Sequence, residues 1–124
     1  MAQTADDGQL DIDRILRLAG PLGLAEIELS THYGDPSLKV AGKAMVTVKS
    51  VGLMVLHCPL DMKEVLMEMA PDIYYQTDHF KGWPGLLVRL DVIGDEELSL
   101  RLEDAWRFKA PKPLSAKRPT AKAR

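Results

Sequence analysis

Short apolar-rich segments separated by glycine-containing turns fill residues 25–58. Ile27 and Leu29 alternate with charged and hydroxyl residues, as in a strand that has one face in water. Turns are predicted at Gly34-Asp35-Pro36, at Gly42 and at Val51-Gly52. We therefore expect four consecutive strands, at 25–31, 38–40, 44–48 and 53–58, arranged as an antiparallel meander.

Capping residues and helical spacing predict helices on both sides of this meander. Asp11 is expected to cap the first helix, with Leu10 and Ile15 as a hydrophobic staple. The second helix is expected to begin near Asp61 and to end at Pro71. Its predicted apolar stripe consists of Met62, Val65, Leu66 and Met69.

Two further strands and a third helix complete the predicted domain. The strands are expected at 73–76 and 85–93, and alternation in the second turns Arg89 away from the core. Asp95 is expected to cap the third helix. This helix should bury Leu98, Leu102, Ala105 and Trp106. The order αβββ(β)αββα predicts an α+β fold, an antiparallel sheet of about five strands with three helices packed mainly on one face.

The length of 124 residues, with 46% hydrophobic content, favours one domain. We expect a flexible N-terminus at 1–10, a single domain at 11–110 and a basic, disordered tail at 111–124. Removal of 112–124 should then leave stability nearly unchanged. The lone Cys58 excludes an internal disulfide, and the sequence shows neither a signal peptide nor an apolar run of ~20 residues. These features predict a cytoplasmic protein.

Charge is divided unevenly along the chain. Residues 107–124 carry seven cations and no acid, whereas residues 1–106 carry nine cations and eighteen acids, a net charge of −9. Clustered cations favour contact with phosphate, and an acidic body repels a polyanion unless its cations share one face. The distribution of cations in space therefore decides whether nucleic acid is a plausible partner.

No residue pattern predicts catalysis, a metal site or a cofactor. His57 and Cys58 are neighbours on a predicted strand, so their side chains point to opposite faces and cannot form a dyad. Asp78-His79 fits a turn whose side chains bind the backbone better than it fits a general base. We therefore expect a protein that is not an enzyme and has no bound cofactor.

A set of aromatic and cationic residues is the strongest candidate binding site. Some of these residues can meet on the open face of the sheet and in the loops at its rim, where cations hold phosphate and rings stack on bases. An equally simple reading is that Tyr74, Tyr75 and Trp83 close the core or support a dimer. The candidate nucleic-acid-binding residues are Tyr33, Lys39, Lys43, Tyr74, Tyr75, His79, Lys81, Trp83, Arg89, Lys117 and Arg118.

Several of these motifs together resemble the MmcQ/YjbR family of small bacterial proteins. The matching stretches are His32-Tyr33-Gly34, Lys39-Val40, Gly42-Lys43, the acidic helix ending at Pro71, Thr77-Asp78-His79, Gly82, Pro84, residues 87–90, Ala105-Trp106 and Ala110-Pro111. The chain departs from the family pattern at Leu38 and Met45, where an aromatic is more usual, and at Phe80, where Tyr is usual. The resemblance implies a compact α+β domain with proposed DNA binding through paired β wings and no established catalytic activity.

Two hypotheses about partners follow. The first is DNA binding through the hairpin loops, the basic and aromatic residues and the tail. The second is a protein-interaction module with an acidic surface, resembling small secretion chaperones, as a monomer or weak homodimer. Cations gathered in one patch would favour DNA, and cations dispersed among acids beside an apolar groove would favour a protein partner.

Overall fold

The computed structural model of the chain describes residues 3–118. The helices in this part are α1 (Gln3–Ala19), α2 (Leu60–Met69), α3 (Asp95–Lys109) and the short α4 (Lys112–Ser115). The strands are β1 (Ile27–His32), β2 (Asp35–Val40), β3 (Lys43–Ser50), β4 (Leu53–His57), β5 (Tyr74–Tyr75) and β6 (Gly85–Arg89). Within this part of the chain, no helix has the length and apolar character needed to cross a membrane.

All six strands form one antiparallel sheet in the order β1-β2-β3-β4-β6-β5. The first four strands are the predicted meander, because each pairs with its neighbour in sequence. After α2 the chain adds β5 at the far edge and then inserts β6 beside β4. The α+β antiparallel fold is confirmed, with six strands where about five were predicted.

The first hairpin turns earlier than predicted. His32 and Asp35 are register partners, so only Tyr33 and Gly34 form the turn, with φ angles of 52° and 86°. Two positive φ angles in a two-residue loop define the type I′ turn, whose twist matches that of paired strands. Asp35 and Pro36 therefore belong to β2 and not to the turn.

The core lies between the sheet and the helices. Helices α1 and α3 contact each other, and both pack against β3. Trp106 is 1% exposed, and its indole Nε1 donates a hydrogen bond to the Ala25 carbonyl at 2.9 Å. The predicted burial of the third-helix stripe is confirmed for all four residues, Leu98, Leu102, Ala105 and Trp106.

Helix α1 begins at Gln3, inside the segment predicted to be a flexible N-terminus. Asp11 therefore lies within the helix and does not cap it. Its Oδ2 accepts a hydrogen bond from the Gly52 amide at 2.7 Å, which ties the helix to the β3–β4 turn. Leu10 is 64% exposed, so the predicted staple with Ile15 is wrong. The real helix extends over this position and turns Leu10 toward solvent.

Helix α2 buries a different face from the predicted one. Leu66 is buried, but Val65 and Met69 are 51% and 74% exposed, whereas Lys63 is only 3% exposed. The helix begins at Leu60, one residue before the predicted start at Asp61, and it has no side-chain cap. The predicted stripe is wrong at two positions because a buried lysine replaces an apolar residue on the inner face.

The C-terminal boundaries also shift. Strand β6 ends at Arg89, and Gly94 holds the cap position of α3, so Asp95 is its first residue. Residues 112–115 are helical although the tail was predicted to be disordered. Arg118 pairs with Glu103 of α3, with Nε and Oε2 at 3.1 Å, which fastens this segment to the domain. Residues 119–124 lie outside the described residues.

Candidate functional site

The face of the sheet opposite α1 and α3 carries the candidate site. Register partners in neighbouring strands share a face, and Thr47, Val55 and Leu87 form one such row across β3, β4 and β6. Their sequence neighbours Val46 and Val88 belong to the core on the other face. The loop 78–84, which leads into β6, reaches this face, where its Trp83 ring contacts His57 of β4.

A cleft of about 520 Å³ lies on this face between the β1–β2 hairpin and the loop 78–84. We call it the open-face cleft. Its walls carry three histidines and three further aromatic rings, which is an unusual density of rings for a chain with 6% aromatic residues. The lining residues are His32, Tyr33, Asp35, Thr47, Lys49, Val55, His57, His79, Phe80 and Trp83.

One side of the cleft is a chain of rings in edge-to-face contact. Trp83 contacts His57 with ring centroids 5.0 Å apart and Phe80 at 5.4 Å, and His79 contacts Phe80 at 5.3 Å. This is the arrangement that aromatic quadrupoles prefer. Trp83 lies so close to Gly85 that a Cβ there would overlap the indole and lie 2.6 Å from its Cε3. Glycine at position 85 therefore lets the ring lie flat at the start of β6.

Lys63 of α2 binds the backbone of the loop 78–84. Its ammonium Nζ donates to the Phe80 carbonyl at 2.6 Å and to the Trp83 carbonyl at 2.8 Å. Burial lowers the pKa of Lys63, because the charged form loses its hydration. Two carbonyl acceptors offset part of that loss and fix the positions from which Phe80 and Trp83 project.

His57 forms the buried wall of the cleft. It is 7% exposed, and its Nδ1 has no hydrogen-bond partner among the described residues. Burial is the main reason that the pKa of His57 falls to about 4, and the nearby positive charge of Lys109 lowers it further. The imidazole is therefore neutral at pH 7, and this wall carries no charge.

The opposite rim is the tip of the first hairpin. Tyr33 is 96% exposed, and its ring contacts His32 edge to face at 4.5 Å. A bulky residue at φ 52° is an outlier, since Cβ crowds the following carbonyl in the left-handed region. Backbone strain of this kind persists where the surrounding structure imposes it, and it is concentrated at functional sites.

The cations near the cleft are few and are matched by acids. Lys49 and Asp35 both line it, and Lys81 in the covering loop pairs with Asp78 at 3.5 Å. On β2, Lys39 lies directly opposite Glu28 of β1. The cations are therefore interspersed with carboxylates and do not form one positive patch.

Of the sequence-predicted site residues, the structure brings Tyr33, His79 and Trp83 together in the cleft, with Lys81 in the same loop. Lys43 is exposed at the start of β3 and does not line the cleft. Lys117 and Arg118 line a separate cavity of about 250 Å³ beside Trp106. These residues therefore cannot act as one contiguous surface.

Tyr75 and Arg89 form a separate pair at the β5–β6 edge. The Arg89 guanidinium lies 4.0 Å from the centroid of the Tyr75 ring, and it donates to the Pro71 and Asp72 carbonyls at 3.4 and 3.3 Å. Arg89 does face away from the core, as predicted. Its contacts show that it also supports the chain that leads from α2 into β5.

Tyr74 is not available to a ligand. It is fully buried on the core face of β5, and its hydroxyl donates to the Glu97 carboxylate. Burial is the main reason that the pKa of Tyr74 is raised. Its inclusion among the predicted binding residues is therefore wrong, since alternation places adjacent Tyr74 and Tyr75 on opposite faces.

Seven residues that line the cleft were not among the predicted binding residues, namely His32, Asp35, Thr47, Lys49, Val55, His57 and Phe80. Strand alternation could have predicted part of this set. Thr47 and Lys49 are two residues apart on one strand, as are Val55 and His57, so each pair lies on one face of the sheet. What no local pattern contains is that the loop 78–84 folds back over that face.

Cys58 and His57 lie on opposite sides of the sheet, as their adjacency predicts. Cys58 belongs to the core, and burial raises the pKa of its thiol to about 11, which leaves it unreactive as a nucleophile at pH 7. In residues 3–118, no three His, Cys, Asp or Glu side chains are close enough together to hold a metal ion.

Comparisons with known proteins identify the family of this chain. The family model described as YjbR matches residues 22–108. Uncharacterised proteins from two strains of Mycobacterium tuberculosis and from Mycobacterium bovis are 40% identical to the chain over 103 residues, which is 82% of this chain and 70% of each relative. No solved structure matches the chain. The match spans the whole sheet and α3 almost to its end, and the chain belongs to the YjbR family.

Proposed function

We propose that this chain is a non-enzymatic protein that binds DNA through the two projections that border the open-face cleft, the turn 33–34 and the loop 78–84. The observation that carries the proposal is the Tyr33 ring, which is 96% exposed on a backbone conformation that bulky residues avoid. Because the Tyr33 ring is exposed, its burial does not offset the strain of its backbone. Contact with an external ligand is the simplest use for it.

The residue types in the two projections suit nucleic acid. Tyr33, His79 and Trp83 present rings on which bases can stack, and stacking tolerates any base because every base has a π face. Lys49 and Lys81 are exposed and can approach phosphates as point charges. We therefore expect binding with little sequence preference.

The cations are dispersed among acids, which taken alone favours a protein partner, so the DNA proposal rests on the exposed rings and allows only a few phosphate contacts. Residues 1–106 carry a net charge of −9, so a long phosphate backbone cannot follow the body of the protein closely. If Lys49 and Lys81 alone contact a single strand, the slope of log K against log salt has a magnitude of about 1.4, at about 0.7 per contact. Any contribution of the basic tail adds to this value.

The test is a titration of labelled single-stranded and duplex DNA with the purified protein at several salt concentrations. Tyr33→Ala combined with Lys81→Ala should weaken binding roughly tenfold or more, because a stacked base and a phosphate contact are lost. Tyr33→Phe keeps a ring and should retain affinity. The matched charge control is Arg17→Ala, an exposed cation of α1 outside the cleft and outside the tail. Equal affinities for wild type and the double variant would contradict the proposal.

A second candidate function, a protein-interaction module, is favoured by the outer face of α2. Val65 and Met69 are 51% and 74% exposed, and the acidic Glu64 and Glu68 flank them. Such a stripe fits a partner that offers apolar residues beside cations. Failure to bind any nucleic acid, together with capture of a partner by wild type but not by Val65→Ser with Met69→Ser, would favour this function.

A further inference from the structure

The open-face cleft has the size of a site for one small ligand. Its volume of about 520 Å³ falls within the range of roughly 300–1,000 Å³ that small-ligand pockets occupy. Val55 and Thr47 form its floor on the sheet, and the Trp83 and Phe80 rings form one wall. A base pair that stays stacked in a duplex cannot enter a cleft of this kind, whereas a single unstacked base can.

The buried wall calls for a hydrogen-bonding ligand and not for an ion. His57 is 7% exposed and lines the cleft, and its Nδ1 lacks a partner among the described residues. A buried polar atom without a partner is unfavourable, and rotation of the ring toward the cleft would let a ligand satisfy it. The imidazole is neutral at pH 7, so it suits the donor and acceptor edge of a heterocycle better than a phosphate.

The rim supplies charge for about one phosphate. Lys49 lies at the cleft, but the Asp35 carboxylate lies there too. Lys81 is already paired with Asp78. This balance repels a run of phosphates and tolerates a single one, which matches one nucleotide unit and not a backbone track.

We propose that the open-face cleft holds one unstacked nucleotide unit, with its base against Trp83 and His57 and its phosphate near Lys49. This inference rests on the proposed function and narrows it from DNA in general to the unpaired bases of a single strand. The same chemistry is offered by a free nucleotide, and the two sources can be separated by experiment.

The experiment uses the full chain and measures direct binding of nucleoside monophosphates by calorimetry, together with their competition against a labelled short single-stranded oligonucleotide. Nucleoside monophosphates should compete, whereas deoxyribose 5-phosphate, which lacks the base, should compete at least roughly tenfold less well. Duplex of the same sequence should bind more weakly than the single strand by a similar factor. Val55→Phe, which fills the cleft, should abolish competition. The exposed α2 variant Val65→Phe, which adds the same ring elsewhere, should not.

The outcomes separate the two proposals. Equal binding of duplex and single strand, or equal competition by deoxyribose 5-phosphate, overturns the cleft assignment and leaves DNA binding in place. Binding of monophosphates without binding of any oligonucleotide overturns the DNA proposal and identifies a free nucleotide as the source. Absence of binding by every probe overturns both. His57→Phe retains a ring at the wall but removes the hydrogen-bonding nitrogens, so it should weaken binding of all four monophosphates. Unchanged monophosphate affinity would show that His57 does not hydrogen-bond the base.

Discussion

Lys63 lies on α2 with 3% of its surface exposed, where helical spacing alone favours an apolar residue. Replacement by Met keeps the stem of the side chain but removes both hydrogen bonds to the Phe80 and Trp83 carbonyls. We expect Lys63→Met to lower the free energy of unfolding by about 1 to 3 kcal/mol, since hydrogen bonds from a charged donor are lost. Denaturant titration provides the measurement. Lys81→Met, in the exposed part of the same loop, should change the midpoint little, and an equal loss in both variants would contradict the role of Lys63.

His57 should make stability depend on pH in a defined window. Its pKa is about 4 in the folded protein and 6.5 in the unfolded chain. Between these values the unfolded chain binds the extra proton, so stability falls as pH decreases from about 6.5 to about 4 and loses at most about 3 kcal/mol. His57→Phe should lack this part of the pH dependence. Unfolding free energies of wild type, His57→Phe and the exposed control His79→Phe, compared across this range, provide the test. A wild-type profile parallel to that of His57→Phe would show that His57 does not titrate differently on folding.

At the scale of elements, the two type I′ turns of the meander allow a matched comparison. Tyr33-Gly34 and Ala41-Gly42 both have positive φ at each position, with φ 52° at Tyr33 and 49° at Ala41. Asn is the residue that this turn position prefers, so Tyr33→Asn and Ala41→Asn should each stabilise the protein by about 1 kcal/mol. Only Tyr33→Asn should weaken DNA binding, because only that variant removes an exposed ring. Thermal denaturation and DNA titration of both variants test this trade-off, and a destabilised Tyr33→Asn would show that the ring supports the fold.

The docking of α3 onto the sheet depends on Trp106. Truncation to Ala leaves a large cavity and removes the hydrogen bond to the Ala25 carbonyl, so Trp106→Ala should cost about 3 to 5 kcal/mol. Leu100 is on the same helix but is 51% exposed, and Leu100→Ala should cost less than about 1 kcal/mol. Chemical denaturation of both variants measures the difference. Similar midpoints for the two would contradict the packing of α3 described above.

At the scale of the whole molecule, residues 112–118 fasten to the domain. Leu114 packs against the core, and Arg118 with Arg107 binds the Glu103 carboxylate. Hydrogen bonding from Arg118 is the main reason that the pKa of Glu103 is lowered, with Arg107 adding to it. The expectation that 112–124 can be removed without effect is therefore revised. Deletion of 112–124 should cost about 1 to 2 kcal/mol, whereas deletion of 119–124 should leave the denaturation midpoint unchanged.

The same two truncations measure the electrostatic part of binding. Residues 119–124 contain Lys122 and Arg124, so their deletion can reduce the salt slope on single-stranded DNA by at most about 1.4. If the salt slope of the chain without 112–124 stays near the value expected for Lys49 and Lys81, the cleft and its rim carry the binding. A slope that falls to zero would assign phosphate contact to the tail instead.

The sequence by itself determined the elements that depend on local pattern. Strand segments between glycine turns predicted the meander, and alternation predicted that Arg89 faces away from the core. Helical spacing predicted the buried stripe that ends at Trp106. Such patterns succeed because a strand or helix must bury one face, and the residues of that face recur at the period of the element. The family could also be recognised from the sequence, because its motifs are short contiguous stretches that do not depend on tertiary contacts.

The tertiary structure alone decided which surfaces meet. Nothing local to Lys63 indicates that two carbonyls about twenty residues away will receive its ammonium group. Likewise, His57 and Trp83 become neighbours only because β6 inserts beside β4 and carries the loop 78–84 over the open face. Burial of a lysine or a histidine is unfavourable unless distant segments supply partners. A prediction from periodicity alone therefore puts such residues on the surface. The cleft is built from contacts of this long-range kind, and its physical origin is the packing of the loop on the sheet.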